Sequence, residues 1–466
     1  MLNLNNRALR DAADRILARA VPPEQKADLQ QLLVNILLYL KRVQVGELAD
    51  DERWYPQHRS LLFQALALSK PLAESLAERL RIVDEYQIES VERIEEMLLY
   101  GLVRRTTPAL TAEHLRLLRE VFAKPLGKTA QLSRHLHISR ASVVKLLHQL
   151  QDQFGLRRGL LVNPSKFKLA TCTMVFRTKS YDASERLENW VRSSNPAFLK
   201  TLVFDVDYRM GYLSFGVPAQ QRALDCFERR AEWLRQQFMD RAHVHHATRL
   251  VCHVRFDMYE EKSGQWRIPA NLAEPSTLKV TSDERPDEEH AQMQIEFGKS
   301  MRFSQVDYLL AESEVFGAVE LAAKSRFLER FGFRLSVKTV WSRLRRLVVS
   351  GALVPYAYLS GAGFEEFVCF SACCDVPAQN LLLTVARRLP FSYTYLTEEG
   401  AALFLKKPIG WTDLVNQLAH MISEFPGVDD LMVVHQERNV GSSLSAELFR
   451  RWNEKRQFWS FDPHEI

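Results

Sequence analysis

Apolar residues recur every three to four positions from about residue 5 to 20 and again from 27 to 49, in ADLQQLLVNILLYLKRVQVGELAD. The N-terminal region, 1–56, is therefore expected to be helical, punctuated by Pro22 and Pro23. Three more helical runs, HRSLLFQALAL, PLAESLAERLRI and IESVERIEEMLLYGLVRRTT, fill 57–106 in the order of a winged helix. The same order recurs over 107–165. TAEHLRLLREVFA and KTAQLSRHL lead through the turn HIS into SRASVVKLLHQLQDQFG, with Ser139 as the expected N-cap and Gly155 as the stop. LRRGLLVNP is then expected to form a small hairpin, the wing.

From 166 to 258 the period changes to alternation. TCTMVFRT, FLKTLVFDVD, YRMGYLSFGV and ATRLVCHVRFDMY read as strands, and ASERLENWVRS and PAQQRALDCFERRAEWLRQQFMD as helices. The order β-α-β-β-α-β is the ferredoxin-like arrangement. An acidic, Pro-containing stretch over 259–300, including DERPDEEH, is expected to be a linker. Residues 301–360 then resume the helix, helix, helix, hairpin order, with Ser336 as a cap. Residues 361–437 repeat β-α-β-β-α-β, and 438–466 is expected to be a short aromatic helix docked on the body. Ser139 and Ser336 lie 197 residues apart, and Val175 and Val368 lie 193 apart. Two agreeing offsets indicate a duplication. The fold class is α+β: tandem winged helix-turn-helix and ferredoxin-like domains with an N-terminal helical extension.

Composition narrows the classes. The chain has 466 residues, 46% of them apolar and 26% charged, which excludes general disorder. No apolar run approaches the roughly 20 residues of a membrane span. The six cysteines, with Cys373 and Cys374 adjacent, form neither a disulfide framework nor a CxxC pair, so a reducing, cytoplasmic setting is expected. The net charge of +5 is unevenly spread. Residues 121–170 carry nine Lys or Arg against Asp152 alone, and 321–355 carry eight against Glu329 alone. By contrast, 57–106 carries seven against eight acidic residues, so that module is expected to contact protein and not phosphate.

The second helix of a helix-turn-helix reads the major groove, and basic and hydroxyl side chains around it hold phosphates. Arg140, Ser142 and Lys145 are the expected groove contacts of the first copy, with Arg157 and Arg158 in its wing. Lys338, Thr339, Ser342, Arg343 and Arg346 take those places in the second. His243, His245 and His246 fall between the long helix and the last expected strand, as metal-pair spacing or as plain surface histidines. No Cys or carboxylate cluster completes a metal site, and no cofactor motif is present.

LGKTAQLSRHLHISRASVVKLLHQLQDQFGL followed by TCTMVFRTKS through RLVCHVRF, and again LSVKTVWSRLRRLVVSGALVP followed by FEEFVCFSACC through LMVVHQE, resemble the leucine-responsive regulatory (Lrp/AsnC) family of transcription regulators. The resemblance is one of domain order, covers about 300 of the 466 residues, and departs from the family in fusing two units. It implies a DNA-binding domain joined to a ferredoxin-like domain that dimerises and binds a small effector. The effector region implied lies at the turn between the middle strands: Asp205, Asp207, Tyr208 and Gly211 in one copy, Glu398, Glu399 and Gly400 in the other. The expected function is thus a sequence-specific regulator of double-stranded DNA, not an enzyme, acting as a homo-oligomer or an intrachain pseudo-dimer. Two alternatives stand beside it. One is an enzyme like the siroheme decarboxylases, which also pair Lrp-like units and use His and Arg on substrate carboxylates; a site around His243 and Arg249 would favour it. The other is an interaction scaffold.

Overall fold

A computed structural model describes residues 6–21, parts of 26–40, 53–54, 66–67, 70–99, 109–194, 196–205, 209–267, 293–315, 321–359, 361–408, 411–436, 438–439 and 446–462. The fold is α+β. Its elements run α1 (Asn6–Arg19), α2 (Lys70–Glu85), α3 (Val91–Leu99), α4 (Ala112–Ala123), α5 (Thr129–Leu136), α6 (Arg140–Phe154), β1 (Leu156–Val162), β2 (Leu169–Thr178), α7 (Tyr181–Ser194), β3 (Leu199–Phe204), β4 (Met210–Pro218), α8 (Gln221–Phe238) and β5 (Met239–Val254). The second half continues with β6 (Met293–Glu296), α9 (Gln305–Val315), α10 (Leu321–Arg330), α11 (Val337–Val349), β7 (Leu353–Leu359), β8 (Phe364–Cys374), α12 (Val376–Arg387), β9 (Phe391–Thr397), β10 (Gly400–Pro408), α13 (Thr412–Ser423) and β11 (Val428–Gln436).

The chain divides into two compact units. One comprises 1–107 with 312–341. Its core joins Leu9, Ile16, Leu32, Ile36, Leu76, Leu80, Ile94 and Leu98. The acidic α2–α3 region carries Glu89, which pairs with Arg330 and Arg326 of α10. The helix expected over HRSLLFQALAL is replaced at its described end by a strand, since Leu66–Ala67 pairs with Arg53–Trp54. Its remainder, and 101–106, lie outside the described residues.

The other unit, 108–311 with 342–466, holds both ferredoxin-like sheets. Strand order is β11-β8-β10-β9-β5-β2-β4-β3, with Arg438–Asn439 pairing β3 beyond β11. Each half has the ferredoxin order, and β5 belongs to both. Its first part pairs β2, from Met239 opposite Thr178 to His246 opposite Cys172. Its second part pairs β9, from Ala247 opposite Thr397 to Val254 opposite Phe391. Helices cover the outer faces. Val175, Cys369, Ala402, Met432 and Val434 pack between the sheets.

The expected wings are not hairpins. β1 and β7 pair with each other, Leu156 opposite Leu359 and Val162 opposite Leu353. Each strand's start faces the other's end, so the two repeats are related by a local two-fold. Gly159 serves this ribbon by close approach, because a Cβ there would lie 3.1 Å from the Tyr356 ring.

Two short hairpins fasten the halves. YEEKSGQW (259–266), within the expected linker, and WNEKRQFW (452–459), within the expected tail helix, are copies 193 residues apart. Each closes on its aromatic ends, Tyr259 opposite Trp266 and Trp452 opposite Trp459. At equivalent turn positions Gly264 and Gln457 take left-handed backbone conformations. The clasps are reciprocal. Trp266 Nε1 of the first half donates to Ala362 O of the second at 2.7 Å, and Trp459 Nε1 of the second donates to Phe167 O of the first at 2.7 Å. Each hairpin also grips its own helix-turn-helix, through Leu110 N to Tyr259 Oη and through Trp452 Nε1 to Phe303 O.

Replacing Trp459 by Phe keeps the ring but leaves the buried Phe167 carbonyl unpaired, which should cost about 1–3 kcal/mol. Trp459→Ala should cost about 3–5 kcal/mol. Urea unfolding midpoints measure both; a Trp459→Phe variant as stable as the wild type would show that the hydrogen bond contributes nothing.

Candidate functional site

β5 begins eight residues before the expected strand. His243 and His245 therefore stand inside a strand, two apart, and their side chains leave the same face. That face looks into the space between the sheets, where both are almost wholly buried, 3% and 2% exposed. From the opposite sheet, Ser371 of β8 sits between them. Its Oγ lies 2.9 Å from His243 Nδ1 and 2.8 Å from His245 Nε2. Asp430 of β11 closes one end, with its Oδ2 3.0 Å from His243 Nε2. Thr397 of β9 closes the other, its Oγ1 3.3 Å from His245 Nδ1 and 2.9 Å from Gly400 O. Arg241, two residues before His243, donates through Nε to Asp430 Oδ2 at 2.8 Å and through Nη2 to Leu431 O at 3.0 Å. Arg241 and Asp430 are about one-third exposed, so this end opens to solvent.

Burial pushes the His243 imidazole down to about 4, helped by the Arg241 charge. Burial likewise holds His245 near 4, with His243 and His246 adding to it. Both rings are neutral at pH 7. The unfolded chain takes up protons first as pH falls, so stability drops from about 6.5 down to about 4 and is flat on either side.

Matching the bulges at Thr178 and Cys374 sets the two repeats in register, so that Val175 corresponds to Ser371 and not, as the sequence offset of 193 had it, to Val368. Matching the starts of β5 and β11 makes Arg241, His243 and His245 correspond to Asp430, Met432 and Val434. The pairings agree: His243 faces Val175 within its sheet, and Met432 faces Ser371 within the other. The polar cluster therefore exists on one side of the local two-fold. Its twin is Met432, Val434 and Val175. Opposite charges occupy the equivalent positions 241 and 430, and they pair across the axis.

His246 turns to the outer face. Its Nδ1 is 3.4 Å from Cys172 Sγ and its Nε2 2.5 Å from Glu228 Oε1. No group of three metal-ligating side chains occurs among the described residues.

The expected DNA contacts divide. Arg140, Ser142 and Lys145 stand exposed on α6, whose N-cap Ser139 accepts from Ser142 N at 3.0 Å. Arg157 and Arg158 are on β1 opposite Tyr358 and Ala357, half-buried in the ribbon and not on a wing. In α11, Lys338, Thr339 and Ser342 are exposed, with Thr339 N on the Ser336 cap. Arg343 and Arg346 instead turn to Asp307, whose carboxylate is 1% exposed. The exposed positions corresponding to Arg140 and Val144 hold Val337 and Trp341.

The expected effector residues that are described make local contacts within their own turns and strands. Asp205 Oδ1 caps its own turn, accepting from Arg209 N and Met210 N at 3.1 Å each. Asp207 and Tyr208 lie outside the described residues. Gly211 and Gly400 are places of close backbone approach: a Cβ would meet Val203 O at 2.1 Å and Ala372 O at 2.0 Å. Glu398 and Glu399 are exposed at the β9–β10 turn. Ser371, Thr397, Asp430 and Arg241 escaped the sequence because their roles arise only when the sheets face each other. Arg249 falls on the far part of β5, opposite Leu396 and Glu296.

No family model matches the sequence, and no curated protein matches it. Among solved structures, the siroheme decarboxylase NirDL is similar at 13% identity and a TM-score of 0.41, over 74% of this chain and 98% of that one. Its complex with an iron-uroporphyrin III analogue matches at 14% and 0.40, over 72% and 96%. A Neisseria meningitidis transcriptional regulator bound to L-Met matches 29% of this chain and 87% of its own, at 20% identity and a TM-score of 0.22. The likeness is thus to a winged-helix and ferredoxin-like architecture found in an enzyme and in regulators. The expectation that the chain is not an enzyme is overturned here, since the matches of broad coverage are to a decarboxylase. Among the described residues, no helix is long and apolar enough to cross a membrane.

The apolar twin supplies a stability test. Writing it onto the polar side, as His243→Met, His245→Val and Ser371→Val together, should leave a folded protein at least as stable at pH 7. The loss of stability between pH 6.5 and 4 should shrink. Thermal unfolding across that range measures both; an unfolded triple variant would mean that the cluster is needed to hold the sheets.

Proposed function

We propose that the chain is an enzyme of the kind the siroheme decarboxylases represent, removing carbon dioxide from a substrate that carries several carboxylates on a tetrapyrrole-like frame. The observation that supports it is the one-sided histidine cluster. Two neutral imidazoles and a hydroxyl are buried where the twin shows that Met and Val suffice, with an ion pair at their solvent-facing end. Buried polar groups cost stability relative to apolar ones of similar shape, so packing does not account for them. Perturbed titratable groups of this kind mark functional sites.

The chemistry follows from the order of groups. Arg241, at the solvent-facing end, is the cation for a substrate carboxylate, by charge and fork geometry. In decarboxylation the carbon–carboxylate bond breaks, its electron pair stays on carbon, and carbon dioxide leaves. A proton must then fill the carbon, and His243 behind Asp430 is the group placed to supply it. Burial is the main cause of the low His243 pKa and the Arg241 charge adds to it; a carboxylate beside Arg241 would offset that second contribution and move the pKa upward.

A second function, docking on duplex DNA, is favoured by a separate observation confined to α6. Arg140 and Lys145 are exposed there, with no ion pair to either among the described residues, and His148 is exposed beside them.

Incubation with siroheme or iron-uroporphyrin should shift the ligand's visible absorption and yield products lighter by carbon dioxide in mass spectrometry. Arg241→Gln should weaken binding, and His243→Asn should retain binding while lowering turnover by about 100-fold or more. Absence of both binding and mass loss with each ligand would refute the decarboxylase. For DNA, Arg140→Ala with Lys145→Ala should lower affinity and reduce the salt slope by about 1 per lost contact. Equal binding by wild type and double variant would remove α6 from that role.

A further inference from the structure

The hydrogens between the two sheets can be assigned by counting. Asp430, paired with Arg241, is a carboxylate and only accepts. The hydrogen of a neutral His243 is therefore on Nε2, pointing at Asp430. Its Nδ1 must accept, and the donor in reach is the Ser371 hydroxyl. Ser371 has one hydrogen, now used, so its Oγ accepts from His245 Nε2–H. His245 Nδ1 is left as a lone pair facing Thr397 Oγ1, whose own hydrogen has a closer acceptor in Gly400 O at 2.9 Å.

That lone pair is the one unfilled place in the chain of groups. A proton on His245 Nδ1 would donate to Thr397 Oγ1 while Thr397 goes on donating to Gly400 O. Every donor and acceptor is then satisfied. If His245 Nε2 passes its hydrogen to Ser371, and Ser371 passes its own to His243 Nδ1, the charge moves to His243. There it faces Asp430, and the Ser371 hydroxyl now points at His245 Nε2. Again nothing is left unpaired. One proton, supplied by solvent to His245 Nδ1 beside Thr397, is then ready to leave at the Arg241 and Asp430 mouth. One N–H bond, at His245 Nε2, and one O–H bond, at Ser371, break; one O–H bond, at Ser371, and one N–H bond, at His243 Nδ1, form, so the step balances.

We infer that Ser371 is a positioning residue that relays one proton between His245 and His243, forming a two-site wire across the facing sheets. Its use in turnover rests on the decarboxylase proposed above, but the wire itself does not. The twin positions sharpen the inference. Val175, standing where Ser371 stands, carries no hydrogen to pass, so the chain has one wire and not two. The charged and titratable groups around it are Arg241 and His246 on β5, Asp430 and Asp429 on β11, Cys373 on β8 and Glu399 at the β9–β10 turn. Asp430 lies at the exit, and Arg241 disfavours charge on His243 until an anion meets it.

The experiment is nitrogen-15 NMR of the full chain labelled at histidine, with His243 and His245 assigned by single His→Asn variants. At pH 7 both rings should be the Nε2–H tautomer. On acidification both should shift in one shared transition, each ring showing partial protonation. In Ser371→Ala the transitions should separate, with His243 no longer following His245. Thr397→Val, which keeps the shape at the entry, should move the shared transition to lower pH and leave the coupling intact. Independent titrations in the wild type, an Nδ1–H tautomer on either ring, or unchanged coupling in Ser371→Ala would overturn the relay. Coupling in a protein that fails to decarboxylate would retain the relay and remove only the enzymatic role.

Discussion

The structure depends on a single strand that is hydrogen-bonded into two sheets. β5 is 16 residues long, well beyond an ordinary strand, and it spends its first part completing one ferredoxin-like sheet and its second part covering the edge of the other. An exposed edge is a site for wrong pairing, and here each half covers an edge of the other, through β5 on β9 and Arg438–Asn439 on β3. Sharing β5 also fixes which residues meet. Once Thr178 is opposite Met239, alternation along the pleat sends His243 and His245 inward, where the second sheet must answer them. The histidine cluster is thus a consequence of register, and a one-residue slip would turn both rings out.

Covalent linkage allows what a symmetric dimer forbids. In a two-fold dimer of identical chains, equivalent positions carry identical residues, so position 241 would meet its own copy or an identical neighbour. Here the equivalent positions 241 and 430 carry Arg and Asp, and the pair closes across the local axis. Pairing the first half with itself would bring Arg241 to the place of Asp430 and leave His243 without its carboxylate. The same asymmetry favours the correct internal partner and frees one side of the sheet interface from packing duty. It extends to the recognition helices. α6 keeps Arg140 and Lys145 in solvent, while Arg343 and Arg346 of α11 serve the buried Asp307.

The periodicities carried the α+β class and most of the elements, because an outer helical layer and a half-buried sheet each impose their own spacing. Three features were illegible for identifiable reasons. LRRGLLV reads as half of a hairpin because its partner is 197 residues away, and no local turn signal reports a ribbon formed by distant strands. AHVHHATR reads as a surface loop because alternating histidines look polar, whereas here the polar face is an interior one. The linker and tail hid the hairpins, although aromatic, Glu-Lys and Trp at the same spacing in YEEKSGQW and WNEKRQFW were there to be found. The site partners Ser371, Thr397 and Asp430 had no signal of their own, since Ser, Thr and Asp are ordinary at strand ends and turns.

What keeps a costly polar cluster in a space that Met and Val can fill is the remaining question, and the proposed function bears on it. If hydrogen bonding across the sheets were the purpose, a satisfied pair of hydroxyls would serve with less desolvation than two imidazoles. Imidazoles add the capacity to hold a proton, and burial sets that capacity low, near 4 for both rings. On the function proposed above, an anion at Arg241 would remove the lesser of the two causes that hold His243 neutral, burial being the larger. In that reading recognition of a carboxylate and delivery of a proton are coupled, because part of what keeps the proton off His243, after burial, is a charge that the ligand would offset. On the same proposal the coupling belongs to a carboxylated ligand, since a neutral ligand at the same mouth would leave the Arg241 charge as it is.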